Sequence, residues 1–347
     1  MMVPSDDEIS QNLTAFITSI KQSKMGSFDI AMGTVLLLRK VVGNTRWANA
    51  KELMESVREI GKKVGDAQPS ETTVGNMVRR VLKLIREEYT GNVGKLESGE
   101  SLQNILLSSR DSADDFSIPM QSLKSVIVDS MNELIGELES CRDEIAAQAL
   151  EHIHANEVIM TFGKSRTVEK FLKNAGRKRK FSVIVAECAP GNRGHELAKS
   201  LAESNIETTV ISDAAIFAIM SRVNKVIIGT HAVMADGGLK ASNGAHALAL
   251  AAKHHSVPIL VCAGMFKLSP SYVCSYDQDD INQLLSPNDV LNFKQDLVSR
   301  VDVYNPAFDY VPPDLVNLYI SDLGGNAPSY MYRLLAEVYH QEDYQCS

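Results

Sequence analysis

Val158-Ile159-Met160-Thr161, Ser182-Val183-Ile184-Val185-Ala186, Thr208-Thr209-Val210-Ile211, Lys225-Val226-Ile227-Ile228 and Pro258-Ile259-Leu260-Val261-Cys262 are short apolar, β-branched runs set between helical patterns. None alternates polar with apolar residues, so each reads as a strand buried on both faces, as parallel strands are. Short connections and right-handed crossovers then predict an α/β fold whose second part is a Rossmann-like, doubly wound, mostly parallel sheet. Each run ends in polar or small residues: Gly163-Lys164-Ser165-Arg166, Glu187, Asp213, Gly229-Thr230-His231 and Ala263-Gly264. Ligands of such sheets bind at the carboxyl ends of the strands, which is where a site is expected.

Outward from this core, residues from Ser5 to about 150 carry helix signals and no strand. Ser5-Asp6-Asp7-Glu8 has the form of a capping box, Ser27 and Asp29 open a second helix, and Trp47, Leu53, Val57 and Ile60 outline a third. Met77, Val78, Val81, Leu82 and Ile85 continue the pattern until Gly91, where the helix is expected to stop. Residues 91–119 are polar and broken, and read as a loop. Leu123, Ile127, Met131, Leu134, Leu138, Cys141 and Ile145 then recur at spacings of three and four, one apolar stripe of a helix over 120–150. The predicted organisation is therefore a helical domain over 1–119 with a loop at about 91–119, a long connecting helix over 120–150, and a Rossmann-like α/β domain over 151–347. Within the last part, Phe308-Asp309-Tyr310-Val311-Pro312-Pro313 cannot be a central strand because of its prolines, and a final helix covers about 330–339.

The chain has 347 residues, 44% hydrophobic, and a formal charge of -8, which argues against a nucleic-acid footprint. Arg177-Lys178-Arg179-Lys180 reads as a solvated helix end whose cations suit the macrodipole. Five cysteines without CxxC spacing read as reduced thiols rather than disulfides or zinc ligands. An acidic amino terminus and the lack of a membrane-length apolar run point to a cytoplasmic protein with no membrane contact.

Catalytic patterns are sparse. Gly191-Asn192-Arg193-Gly194 could turn backbone N–H groups toward a phosphate, yet it lacks the GxGxxG spacing and reads more simply as a tight strand-to-helix turn. Ser165, His195, Asp213 and His231 all lie near predicted strand ends, but no GxSxG elbow exists and Ser165 reads as a helix N-cap. His152 with His154, and His254 with His255, fall on different helix faces, so no metal site is expected, and no cofactor.

Val185-Ala186-Glu187-Cys188-Ala189-Pro190, Thr209-Val210-Ile211-Ser212-Asp213-Ala214-Ala215 and Val226-Ile227-Ile228-Gly229-Thr230-His231 resemble the regulatory subunits of eukaryotic translation initiation factor 2B. That family shares its fold with methylthioribose-1-phosphate and ribose-1,5-bisphosphate isomerases. The resemblance runs from about residue 120 to Tyr339. It is closest to the beta-type members in Ala147-Gln148-Ala149-Leu150-Glu151-His152-Ile153-His154, Met220-Ser221-Arg222-Val223-Asn224-Lys225 and Gly324-Gly325-Asn326-Ala327-Pro328-Ser329-Tyr330.

The resemblance implies a regulatory subunit of a guanine nucleotide exchange factor rather than an enzyme. The isomerases' catalytic cysteine and aspartate fall at Gly163 and His231. Their Glu-Thr-Arg-Pro arginine falls at Ala189, after Glu187, and their Asn-Lys-Ile-Gly-Thr motif at Ser242-Asn243-Gly244-Ala245. A pocket without nucleophile, acid and phosphate clamp is not expected to turn over a sugar phosphate; an isomerase with displaced catalytic groups is the alternative. The implied partners are the delta, alpha, gamma and epsilon subunits of a hetero-decamer, and the alpha subunit of initiation factor 2, whose phosphorylation the factor senses. By the same resemblance the contact with delta maps onto Asn156, Val158, Ile184, Thr209 and Ile211, a surface that lines an activator pocket in some members. Ser182 stands where those members carry histidine. Arg222 and Lys225 are the expected contacts to the substrate's alpha subunit.

Overall fold

The computed structural model describes residues 6–22, 25–97, 116–120, 122–272, 282–295 and 300–344. They fall into two compact units, one of residues 1–139 with 336–347 and one of residues 140–335. Ser5 and two of the five cysteines, Cys274 and Cys346, lie outside the described residues, as do residues 98–115.

The first unit is helical: α1 (Asp6–Lys21), α2 (Ser27–Asn44), α3 (Ala50–Gly65), α4 (Thr72–Glu97) and the first part of α5 (Leu123–Ala147). The start of α2 is held by the Asp29 carboxylate, which accepts from the Gly26 N–H at 3.2 Å, and that of α3 by Asn49, which accepts from the Glu52 N–H at 2.9 Å. Val35, Leu38, Leu53, Val57, Met77, Leu82, Ile127 and Met131 form its buried interior. Gly91 does not end α4, which runs on to Glu97. Glycine interrupts a helix only at a cost of about 1 kcal/mol, and the buried Ile85 and Tyr89 of the preceding turns outweigh it.

The second unit is α/β. After α5 a break at Gln148 leads to the short α6 (Ala149–His152), and then β1 (Val158–Phe162), α7 (Arg166–Gly176), β2 (Ser182–Ala186), α8 (Arg193–Glu203), β3 (Glu207–Ile211), α9 (Ile216–Met220) and β4 (Lys225–Gly229). A hairpin of β5 (Ala232–Val233) and β6 (Leu239–Ser242) precedes α10 (Ala245–His254) and β7 (Ile259–Cys262); β8 (Phe308–Val311), β9 (Leu318–Ser321), β10 (Gly324–Asn326) and α11 (Met331–Val338) follow. The main sheet has the order β10-β9-β7-β4-β1-β2-β3, parallel throughout except for β10. The order reverses between β1 and β4, the place at which a doubly wound sheet opens its crevice. A smaller antiparallel sheet, β5-β6-β8, carries Phe308–Val311 at its edge, as the following prolines require.

One expectation for this sheet fails. β3 is not buried on both faces: Glu207, Thr209 and Val210 are exposed, because β3 is an edge strand with a single neighbour. Its apolar run conceals that position.

Candidate functional site

The crevice lies at the carboxyl ends of β1, β2, β3 and β4. Gly163 follows β1 with φ +59°, a left-handed backbone, and a Cβ there would lie 3.3 Å from the Cys188 sulfur. Any side chain at this position is therefore strained. The loop after β2 is pinned from β3: the Asp213 carboxylate accepts from the Cys188 N–H at 2.9 Å and the Ala189 N–H at 2.7 Å. Glu187, at the end of the same loop's strand, lies 3.3 Å from the His195 ring on α8.

The amino end of α10 is filled in the same manner. Asp309 of β8 accepts from the Gly244 N–H at 2.6 Å and the His246 N–H at 3.3 Å, the place where a helix favours an anion. Asn243 joins the same corner by donating its N–H to the Ala307 carbonyl at 3.1 Å. His231, after β4, lies with its ring 4.6 Å from that of Phe308, and the Lys240 ammonium stands 4.6 Å from the centroid of the same Phe308 ring. Lys240 is buried. It is a cation beside the crevice that the sequence reading did not find; its only sequence signal is a lysine within an apolar strand.

These contacts define what the crevice can do. Two sets of backbone donors that could hold a phosphate already hold the chain's own carboxylates, and an incoming phosphate would meet Glu187, Asp213 and Asp309. Cys188 offers no nucleophile: burial, then the Asp213 charge, pushes its thiol up to about 11, so it is protonated at neutral pH. Nor is a serine triad assembled. Ser165 caps α7 by accepting from the Val168 N–H, and Asp213 and His195 are used as described. Among the described residues no three His, Cys, Asp or Glu side chains converge as a metal would require.

The residues expected at a subunit contact fall together. In the parallel register Val158 lies beside Ser182 and Ile184 beside Thr209, and Ile211 follows Thr209 at a spacing of two, so the five share one face of the β1-β2-β3 half of the sheet. Thr209 is exposed, Val158, Ser182 and Ile184 are half-buried, and Ile211 is buried. Asn156 sits exposed just before β1 in a left-handed conformation, its N–H donating to the Lys180 carbonyl at 2.8 Å. Arg222 and Lys225 part company. Arg222 is exposed, whereas Lys225 is held by Glu157 at 2.8 Å and by the His152 carbonyl at 2.7 Å.

Comparison with known proteins places this geometry. The model of the initiation factor 2 subunit family matches residues 23–328. The translation initiation factor eIF2B subunit beta of Dictyostelium discoideum is 46% identical over 371 aligned positions, covering 95% of each chain. Among solved structures, eIF2B beta from Chaetomium thermophilum superposes with a TM-score of 0.77 at 28% identity, covering 98% of each chain. A chain of the tetrameric eIF2B-beta2-delta2 complex of that organism gives 0.73 at 29%, covering 95% of each. A ribose 1,5-bisphosphate isomerase of Haloferax volcanii is a more distant relative, 24% identical over 96% of this chain and 94% of its own.

Proposed function

The chain belongs to the initiation factor 2 subunit family, and from that premise we propose that it acts as a beta-type, non-catalytic regulatory subunit of the guanine nucleotide exchange factor for translation initiation factor 2. The observation that carries this reading is likeness to an eIF2B beta subunit over 95% of both chains, at nearly twice the identity to an isomerase. The exchange factor works in the cytoplasm, and among the described residues no helix is long and apolar enough to cross a membrane.

Its work is assembly. The face bearing Val158, Ser182, Ile184, Thr209 and Ile211, with Asn156 at its rim, meets the delta subunit, and the alpha, gamma and epsilon subunits complete the factor. The similar chain solved in a beta2-delta2 tetramer supports delta as the immediate partner. Arg222 contacts the alpha subunit of initiation factor 2, with Lys225 setting the loop behind it. The crevice is a vestige of the isomerase site: Gly163 and His231 stand at the catalytic positions, Ala189 and Asn243 at positions of lost cations, and Glu187 remains. The alternative, an active sugar-phosphate isomerase, is disfavoured by the carboxylates already seated on the crevice's backbone donors.

Native mass spectrometry of the tagged chain from its own cells tests the proposal. A five-subunit decamer containing delta, gamma and epsilon is expected. A lone homo-oligomer that isomerises ribose-type phosphates would overturn it.

A further inference from the structure

Three loops meet at the amino end of the sheet, opposite the crevice: residues 152–157 before β1, 177–181 before β2 and 221–225 before β4. They are stitched together. Asn156 donates to the Lys180 carbonyl at 2.8 Å, the Asn224 side chain accepts from the Val158 N–H at 2.8 Å, and the Arg179 guanidinium donates to the Ile153 carbonyl. Because β4, β1 and β2 are adjacent, and strands lie about 4.8 Å apart, the loops span roughly 10 Å, close to the Debye length of about 8 Å at physiological salt.

Within them stand Arg177, Lys178, Arg179, Lys180, Arg222 and Lys225 against one carboxylate, Glu157. Glu157 is already committed to Lys225 and to the His154 N–H. Although burial works to raise its carboxyl, those two partners hold it below the ordinary range. Arg177, Lys178, Lys180 and Arg222 are exposed and make no ion pair among the described residues. A chain of net charge -8 thus concentrates uncompensated positive charge at one spot, where like charges repel one another until an anion arrives.

We propose that this patch is a docking site for a short acidic segment, a run of Asp and Glu, of a partner polypeptide. The inference deepens the reading of Arg222 as a substrate contact and rests on it only for which partner supplies the acid. Two observations favour a short acidic peptide over a nucleic acid. Exposed Glu151, Glu203 and Glu207 lie on elements flanking the patch and would repel a long polyanion. The one Phe, Tyr or Trp in the three loops, Phe181, is buried, so the strongest stacking rings are not offered to a base.

The test is fluorescence anisotropy of a labelled deca-glutamate peptide and of a 20-nucleotide single-stranded RNA on the full chain, at 50 and 200 mM salt. Three proteins are compared: the native chain, the variant Arg177→Glu/Lys178→Glu/Lys180→Glu/Arg222→Glu, and a charge-matched variant, Lys21→Glu/Lys40→Glu/Lys51→Glu/Lys62→Glu, altered on the helical unit. Peptide affinity is expected to fall about tenfold with salt, at least about tenfold in the patch variant, and little in the charge-matched one. Equal losses in both variants, or RNA binding tighter than peptide, would overturn the proposal. Co-purification of subunits with the native chain and with the patch variant separates the two readings. Peptide binding retained in the patch variant counts against the patch whatever the assembly does, while a native chain that binds the peptide but recovers no delta counts against the assembly reading and leaves the patch standing.

Discussion

The Arg58 guanidinium of α3 donates to the Asp343 carboxylate at 2.9 Å, and the Asp343 side chain has no exposed surface. Arg86 of α4 reaches the same carboxylate at 3.2 Å, and Arg79 donates to the Asp343 carbonyl at 3.1 Å. Asp343→Ala removes the buried carboxylate that Arg58 and Arg86 share and leaves Arg86 the exposed Glu342 at 2.8 Å, and is expected to destabilise the helical unit by about 3 kcal/mol. Glu59→Gln, which removes the exposed pair Glu59–Lys63, should leave the urea midpoint unmoved. Urea denaturation followed by circular dichroism compares the two.

Restoring the isomerases' cysteine should not restore their chemistry. Gly163→Cys places a side chain on a left-handed backbone, at a cost of about 1–2 kcal/mol, and against Cys188. With His231 at the position we assign to the acid, no turnover of ribose 1,5-bisphosphate is expected above background. Thermal denaturation reads the cost, and a coupled isomerase assay reads the activity.

Ile184 and Thr209 are neighbours in register on a sheet face that no described helix fully covers. Ile184→Lys with Thr209→Arg puts two charges into the proposed delta contact, where an unpaired buried charge costs several kcal/mol. The isolated chain should keep its circular dichroism spectrum and melt within a few degrees of the parent, while co-expressed delta no longer elutes with it in size-exclusion chromatography.

Burial holds the His152 imidazole below its ordinary value of 6.5, and its ring lies 6.4 Å from that of Phe171. The unfolded chain then binds more protons than the native one just below that value. The stability contributed by neutral His152 is complete above about pH 6.5 and is lost as pH falls through the lower native value. His152→Gln should flatten the pH dependence of the urea midpoint between pH 7 and 5 without reversing it.

Local periodicity carried much of the architecture. Leu123, Ile127, Met131, Leu134, Leu138, Cys141 and Ile145 are all buried as their spacing demands, and the five apolar runs of the opening stretch all lie in the main sheet. What escaped was non-local. Val210 and Ile211 look the same on an edge strand as on a central one, since edge position is a property of the strand order. The place of the crevice followed from the strand order, but not the partners of its amides: Asp213 and Asp309 reach them from distant parts of the chain. The Asp343 cluster was invisible because Arg58 and Asp343 lie 285 positions apart.

That separation has a bearing on how the molecule is made. The helical unit is discontinuous, its last pieces being residues 336–344. On a ribosome working at about 5–20 residues per second, helices α1 to α4 would wait at least roughly 12–50 s for the segment that carries Asp343, while the whole of the α/β unit is synthesised. The α/β unit can finish folding first, and the helices emerge first but mature last. Until then Arg58 and Arg86 await the Asp343 carboxylate, and Arg79 the carbonyls of Asp343 and Tyr344. A nascent chain halted before Tyr339 therefore contains every described strand of the sheet and an incomplete helical unit, which makes the segment around Asp343 a checkpoint on helices made long before it.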